Sequence, residues 1–226
     1  MKAKIALLLI ATAISASASV TIVGQYGVNY TSALTPIEVP NGSLWALVVS
    51  SDGTFGKTGT TFGANGFITT AIANATFTAG QSLSLGAIAG TSDSVFAMGT
   101  FDSSLSGMLG LAAPTSILTL GTNGVAAGKD YAFFFFPGGT LSGGTGTIGS
   151  QAGAYNTTIA DAGNSLVGMV IPSEGGTVTA GAADPSALSG TSLTQTAFKA
   201  VNLVPEPSAA LLGALGALGL LRRRRI

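Results

Sequence analysis

The sequence contains neither cysteine nor histidine, and charged residues are scarce. Without cysteine, the chain can form no disulfide and has no thiolate nucleophile. Without histidine, it lacks imidazole ligands for zinc and the side chain most often used in general acid–base catalysis. Charged residues make up 8% of the 226 residues, about a third of the usual ~25%. These absences exclude most familiar enzyme chemistries.

Most of the positive charges lie at the two ends of the chain. Between residues 19 and 203 there are three lysines and eight carboxylates, which gives a net charge of −5 (3 − 8). A nucleic-acid-binding surface requires clustered basic residues. The central body is therefore mildly acidic, and nucleic acid is not among its expected partners.

The first 18 residues have the pattern of a secretory signal peptide. Lys2 and Lys4 precede an apolar run over residues 5–14, and Ala16 and Ala18 supply small residues at the cleavage positions. The run would extend only ~15 Å as a helix, about half of a bilayer core. We expect signal peptidase to cut after Ala18, so that the exported protein begins at Ser19.

The C-terminal residues have three distinct parts. Pro205, Glu206 and Pro207 come first, residues 209–221 contain only alanine, leucine and glycine, and Arg222, Arg223, Arg224 and Arg225 follow. The prolines hold the backbone extended, the apolar run would form a membrane helix of ~20 Å, and the arginines would stay on the cytoplasmic side. The residues alone allow either a weak stop-transfer tail or a transient sorting signal.

In order, spacing and position, residues 204–226 resemble the PEP-CTERM sorting signal. The resemblance implies export by a Gram-negative bacterium and processing by exosortase, a membrane-embedded enzyme similar to cysteine transpeptidases. It also implies that Pro205, Glu206 and Pro207 are the recognition residues. The protein would be held in the inner membrane only transiently and would then reach the cell surface or the extracellular matrix. The tail defines this route and leaves the role of the body open.

The body, residues 19–203, has the pattern of an all-β protein. Residues 43–50 and 131–136 are apolar on both faces and lie near turn-forming glycines, which predicts two central strands. A short helix is predicted near Asp102 and a helical turn at Asp184. The glycine-rich residues 137–164 are predicted to form a long surface loop. Further strands are predicted over residues 26–30, 66–72, 75–79, 82–87, 94–98, 116–120, 165–171, 177–180 and 194–203. Together they suggest a single β-sandwich or jelly-roll-like domain.

Few residues of the body suggest a binding or catalytic site. Glu38 and Glu174 are the carboxylates without an evident turn or capping role, so a secreted hydrolase would depend on them. No calcium-binding loop pattern is present, and we predict no metal and no cofactor. Trp45 is expected in the core, whereas Tyr26, Tyr30 and Tyr155 are the aromatic residues expected at the surface.

The sequence therefore predicts a noncatalytic exported protein with a structural or adhesive role at the cell surface or in an exopolysaccharide matrix. A carbohydrate-binding module is the first alternative, and it requires an exposed aromatic platform. A secreted hydrolase is the second. The expected partners are signal peptidase, exosortase and the membrane. A hydrated polysaccharide is a further candidate, because the many serine and threonine hydroxyls could form hydrogen bonds with it.

Overall fold

Strands dominate the computed structural model, which describes residues 19–26, 29–31, 37–55, 77–106, 110, 112, 115–159, 166–182 and 200–203. In these residues the protein is all-β, as the sequence predicts. The predicted strands over residues 66–72 and the helical turn at Asp184 lie outside this part of the chain. So do most of residues 194–203.

The strands in chain order are β1 (Ser19–Tyr26), β2 (Leu44–Ser50), β3 (Ser82–Leu83), β4 (Gly86–Ala87), β5 (Asp93–Thr100), β6 (Thr115–Thr119), β7 (Tyr131–Phe136), β8 (Thr140–Ser142), β9 (Thr145–Thr147), β10 (Gln151–Tyr155), β11 (Thr157–Ile159), β12 (Leu166–Gly168), β13 (Thr177–Ala182) and β14 (Val201–Asn202). One helix, α1 (Ser103–Ser106), lies between β5 and β6. Asp102 Oδ1 accepts a hydrogen bond from Ser104 N at 2.9 Å, which caps this helix as the sequence predicts.

A six-stranded sheet in the order β14-β10-β7-β2-β5-β4 forms the centre of the structure. β2 pairs antiparallel with β7 and with β5, so that it lies in the interior of the sheet. Every residue of β2 and of β7 is buried. Both predicted central strands are thereby confirmed. Two three-stranded sheets, β13-β1-β6 and β3-β9-β8, and the β11-β12 pair complete the described strands.

The central sheet has an apolar core on each face, because successive side chains of a strand point in opposite directions. On one face, Trp45, Phe133 and Phe135 pack with Ile22 of β1 and Leu118 of β6. On the other face, Leu44, Phe134 and Phe136 pack with Phe55, Phe77 and Leu83. The ring of Phe77 meets Phe134 and Phe136 edge-on, with ring centroids 5.0 and 5.1 Å apart. The sheet is thus covered by protein on both sides.

The long loop predicted over residues 137–164 is wrong. The structure has β8, β9, β10 and the start of the β11-β12 pair there. Gly143 and Gly144, with φ values of 56° and 79°, form the two-residue turn that joins β8 to β9, as expected of a type I′ hairpin. Glycine serves here to make a tight hairpin and close packing rather than a mobile loop.

Other strand predictions also need correction, and in the one over residues 75–79 the described residues Phe77, Thr78 and Ala79 lie in no strand. Residues 82–87 form two short strands and not one, and Leu83 is buried whereas Leu85 is 53% exposed. Of the strand predicted over residues 26–30, the structure describes Tyr26, which ends β1, and Asn29 and Tyr30, which lie outside the named strands. By contrast, the predictions for residues 94–98, 116–120 and 177–180 agree with β5, β6 and β13 to within two residues at each end.

Gly153 provides a direct test of packing in the central sheet. It lies opposite Phe135 on the neighbouring strand, and a Cβ there would lie 2.0 Å from Phe135 Cζ. We expect Gly153→Ala to lower the free energy of unfolding by about 1–3 kcal/mol, because the ring must leave its position. Urea denaturation of the variant and the parent chain measures the difference.

The matched control is Gly168→Ala in β12. No atom lies within 4 Å of a Cβ at Gly168, so this variant should be neutral or slightly stabilising. Equal losses for the two variants would contradict the packing described for Phe135.

Candidate functional site

The residues predicted to act in sorting lie outside the described residues. These are Ala16 and Ala18 at the signal cleavage site, Pro205, Glu206 and Pro207, and Arg222, Arg223, Arg224 and Arg225. Within the described ranges, no helix has both the length and the apolar character needed to cross a membrane. The last described residue is Leu203, directly before the tail. Leu203 is buried, and its N–H donates to Ser150 O at 2.9 Å.

The two carboxylates that a hydrolase would require are both exposed. The backbone of Glu38 forms an isolated antiparallel β-bridge with Tyr30. Glu174 lies in a turn, and the following residue, Gly175, donates its backbone N–H to Ser19 O. A general acid in glycoside hydrolysis needs a partner carboxylate and an environment that favours its protonated form. Glu38 and Glu174 both lie at the surface.

A group of hydrogen-bonded polar side chains surrounds Asp52, just after the end of β2. Asp52 Oδ1 accepts hydrogen bonds from Thr54 N at 2.9 Å, Thr54 Oγ1 at 2.8 Å and Ser50 Oγ at 3.0 Å. Nearby, Lys129 Nζ donates to Ser51 O at 2.6 Å. Asp52 and Gly53 thus form a turn, and the Asp52 carboxylate fixes the chain that leaves the central sheet.

These donors hold the pKa of Asp52 well below its usual value. The backbone N–H of Thr54 has the largest effect, followed by the hydroxyls of Thr54, Ser92 and Ser50. Hydrogen bonds to an ionised carboxylate favour its charged form. Asp52 is exposed, so the arrangement acts as a structural anchor for the turn and not as a buried proton donor.

Two more carboxylates lie on either side of Ser50: Asp93 is the first residue of β5, and Asp130 directly precedes β7. Asp93 of β5 is the pairing partner of Ser50 of β2. On the other side, Ser50 N donates to Asp130 O at 3.0 Å. Asp93 is buried, whereas Asp130 is half-buried. Among the described residues, no three acidic, histidine or cysteine side chains are grouped so that they could hold a metal ion.

An apolar groove of about 450 Å³ lies beside β5. β4 pairs only with Ser94 and Val95, and no other described strand pairs with the outer edge of β5 beyond Val95. The groove begins where this cover ends. Its walls come from strands and turns of all three larger sheets and include Trp45, Leu85, Ala97, Met98, Ser116 and Leu141. None of the residues that line it is charged.

Trp45 forms one wall of this groove and is otherwise buried. Its indole lies over Gly99, where a Cβ would be 2.5 Å from Trp45 Cζ2, and its Nε1 donates to Thr100 O at 3.0 Å. Only 9% of the residue is exposed. The prediction that Trp45 belongs to the core is confirmed, and the indole also satisfies a carbonyl at the edge of β5.

The prediction that Tyr30 and Tyr155 lie at the surface is wrong. Tyr30 is 9% exposed and Tyr155 is 1% exposed. The pKa of the Tyr155 hydroxyl is raised well above its usual value, mainly by burial, while a hydrogen bond with the Asn29 side chain opposes the shift. Tyr155 packs 5.4 Å from the ring of Phe133. The side chain of Tyr26 lies outside the described residues. An aromatic carbohydrate platform therefore has no support from Tyr30 or Tyr155.

No known family model matches the chain. No curated protein and no solved structure matches it either.

The groove was not predicted from the sequence. Its residues come from five separate stretches of the chain, and each stretch has an ordinary strand or turn pattern. The exposure of Leu85 is visible only in the structure. A groove that forms where one strand extends beyond its paired neighbour has no characteristic pattern in the sequence.

The lowered pKa of Asp52 makes the free energy of unfolding depend on pH in the acidic range. Because its pKa is lowered in the folded state, its contribution is fully present above the ordinary carboxylate pKa of about 3.9 and is lost as the pH falls below it. We expect Asp52→Asn to be less stable at neutral pH and to lose less stability on acidification than the parent chain. Urea unfolding at about pH 7 and about pH 3 measures both effects.

Glu174→Gln is the control, since it removes one exposed carboxylate from another turn. It should leave the acid dependence almost unchanged. If Asp52→Asn and the parent chain lost equal stability between the two pH values, the hydrogen bonds to Asp52 would not stabilise its charged form.

Proposed function

We propose that this chain is an exported, noncatalytic protein of the cell surface or of an exopolysaccharide matrix, and that exosortase processes its tail. The observation that carries the proposal is the succession of Pro205-Glu206-Pro207, the apolar residues 209–221 and four arginines. Each part has a physical function in such a route: an extended segment open to an enzyme, a short membrane helix and a cytoplasmic stop.

The N-terminal residues favour the same route. A basic start, an apolar run and small residues at Ala16 and Ala18 together direct a chain into the secretory pathway. An exported body without cysteine must obtain its stability from burial and hydrogen bonding. The two apolar cores of the central sheet supply that burial.

The position of β14 supports processing close to the folded body. Val201 pairs with Ala152 of β10, and the buried Leu203 donates its N–H to Ser150 O. Only residues 204–208 separate Leu203 from the apolar run, and five extended residues span at most about 17 Å. The body would therefore lie close to the membrane surface before the tail is removed.

For the body itself, we propose a layered β-sandwich with a structural or adhesive role. Its polar turns and hydroxyl-rich strands would interact with a hydrated polysaccharide through hydrogen bonds. The buried Tyr30 and Tyr155 weigh against the alternative of a carbohydrate-binding module with an aromatic platform. The exposed Glu38 and Glu174 weigh against a secreted hydrolase.

Mapping both mature termini by mass spectrometry tests the route. Protein is taken from the membrane and surface fractions of the producing cells. We expect an N-terminus at Ser19 and a C-terminus within residues 205–208, with or without added saccharide mass. An intact C-terminus at Ile226 in the membrane fraction would contradict processing and leave the tail as a plain anchor.

A pair of variants separates recognition from a general effect of charge. Glu206→Gln changes the proposed recognition motif, so the unprocessed chain should accumulate in the membrane fraction. Glu174→Gln removes the same charge from an exposed turn of the body and should be processed like the parent chain. Normal processing of Glu206→Gln would refute the assigned role of Glu206.

A further inference from the structure

Asparagine followed by glycine occurs three times in the chain, at Asn41–Gly42, Asn65–Gly66 and Asn123–Gly124. The structure describes the first and the third of these pairs. We propose that Asn123 is a site of spontaneous deamidation to aspartate and isoaspartate, and that the fold protects Asn41 from the same reaction. The two pairs share their chemistry and differ in their hydrogen bonds.

Deamidation at such a pair requires the backbone nitrogen of the glycine to attack the side-chain carbonyl carbon of the asparagine. A bond forms between the glycine N and Asn Cγ, and the bond from Cγ to Nδ2 breaks. The amide nitrogen leaves as ammonia with the proton from the glycine N–H, and a cyclic imide remains. Water then opens the imide at one of its two carbonyls, which gives aspartate or isoaspartate. The reaction needs a free glycine N–H and a side-chain amide that can rotate.

Asn123 and Gly124 meet both requirements. They have φ values of 49° and 74°, and Val125 N donates to Thr122 O at 2.9 Å, as in a type I′ turn. The hydrogen bond of this turn uses neither the Gly124 N–H nor the Asn123 side chain. Neither group bonds to any other residue that the structure describes. Gly124 is exposed, so solvent reaches the reacting atoms.

Asn41 and Gly42 are held by three hydrogen bonds. Asn41 Nδ2 donates to Ser103 Oγ at 2.8 Å, and Ser103 N donates to Asn41 Oδ1 at 3.0 Å. Gly42 N donates to Phe101 O at 2.9 Å. Attack would require the glycine N–H to leave Phe101 and the amide to leave Ser103. Both reacting groups are therefore occupied in the folded protein.

Modification at Asn123 would affect the end of the central sheet. A Cβ on Gly124 would lie 3.1 Å from Ser94 Cβ and 3.4 Å from Val49 Cγ1, so the turn packs closely on β5 and β2. Isoaspartate inserts an additional methylene into the backbone at this point. Either product also adds a carboxylate, which changes the net charge of residues 19–203 from −5 to −6.

The test is a time course of the folded full-length chain at mildly alkaline pH, followed by peptide mapping with mass spectrometry. Mapping resolves all three pairs, and fragmentation that distinguishes isoaspartate identifies the products. We expect the Asn41 peptide to deamidate at least about tenfold more slowly than the Asn123 peptide, because three hydrogen bonds must first break. Equal rates in the folded chain, or faster loss at Asn41, would overturn the proposal.

The urea-unfolded chain and two variants complete the design. In urea the rates at Asn41 and Asn123 should converge, since the sequence around both reacting atoms is Asn-Gly. Ser103→Ala removes the hydroxyl that binds Asn41 Nδ2, so it should raise the rate at Asn41 while the rate at Asn123 stays unchanged. Asn123→Gly keeps a residue suited to positive φ and should remove the signal at that peptide. A rate difference that persists in urea would show that these hydrogen bonds do not protect Asn41, and an unchanged rate at Asn41 in Ser103→Ala would refute the assigned role of the Ser103 hydroxyl.

Discussion

The paired strands β2 and β7 are buried on both faces, and this constraint shapes the rest of the protein. Their register sets Leu44 opposite Phe136 and Val49 opposite Tyr131, and every residue between them contributes to one of the two cores. A strand with apolar side chains on both faces cannot face water on either side. The sheet that contains β1 and β6 and the hairpin of β8 and β9 supply the two covers.

The same constraint determines where polar chemistry can occur. The interior of the central sheet has little room for charge, so Asp52 and Asp130 lie at the end of the strands, where turns and solvent meet their carboxylates. The apolar groove has the opposite origin. It forms along the outer edge of β5. β4 pairs with β5 only as far as Val95, and beyond that residue Met98 lines the groove. Both features follow from how far each cover extends.

The parts of this fold that could be predicted from sequence are those fixed by local patterns. Continuous apolar runs predicted β2 and β7, and turn dipeptides gave their limits. The glycine-rich residues after Pro137 were misjudged because glycine also occurs where a neighbour needs its space. Gly153 lies against the ring of Phe135, and Gly146 lies against Leu44. Burial of Tyr155 could not be inferred for the same reason, since the adjacent layer decides it. The groove depends on the relative lengths of paired strands, which no single segment encodes.

β14, the last described strand before the tail, is bound to the central sheet by a small number of backbone hydrogen bonds. Two residues pair with β10, and Leu203 adds one more backbone hydrogen bond and a buried side chain. β2, in contrast, is paired along both of its edges and buried throughout. A short edge strand can detach at much lower cost than a central one. Under the proposed route, events at Pro205-Glu206-Pro207 would therefore disturb β14 well before they reached either core.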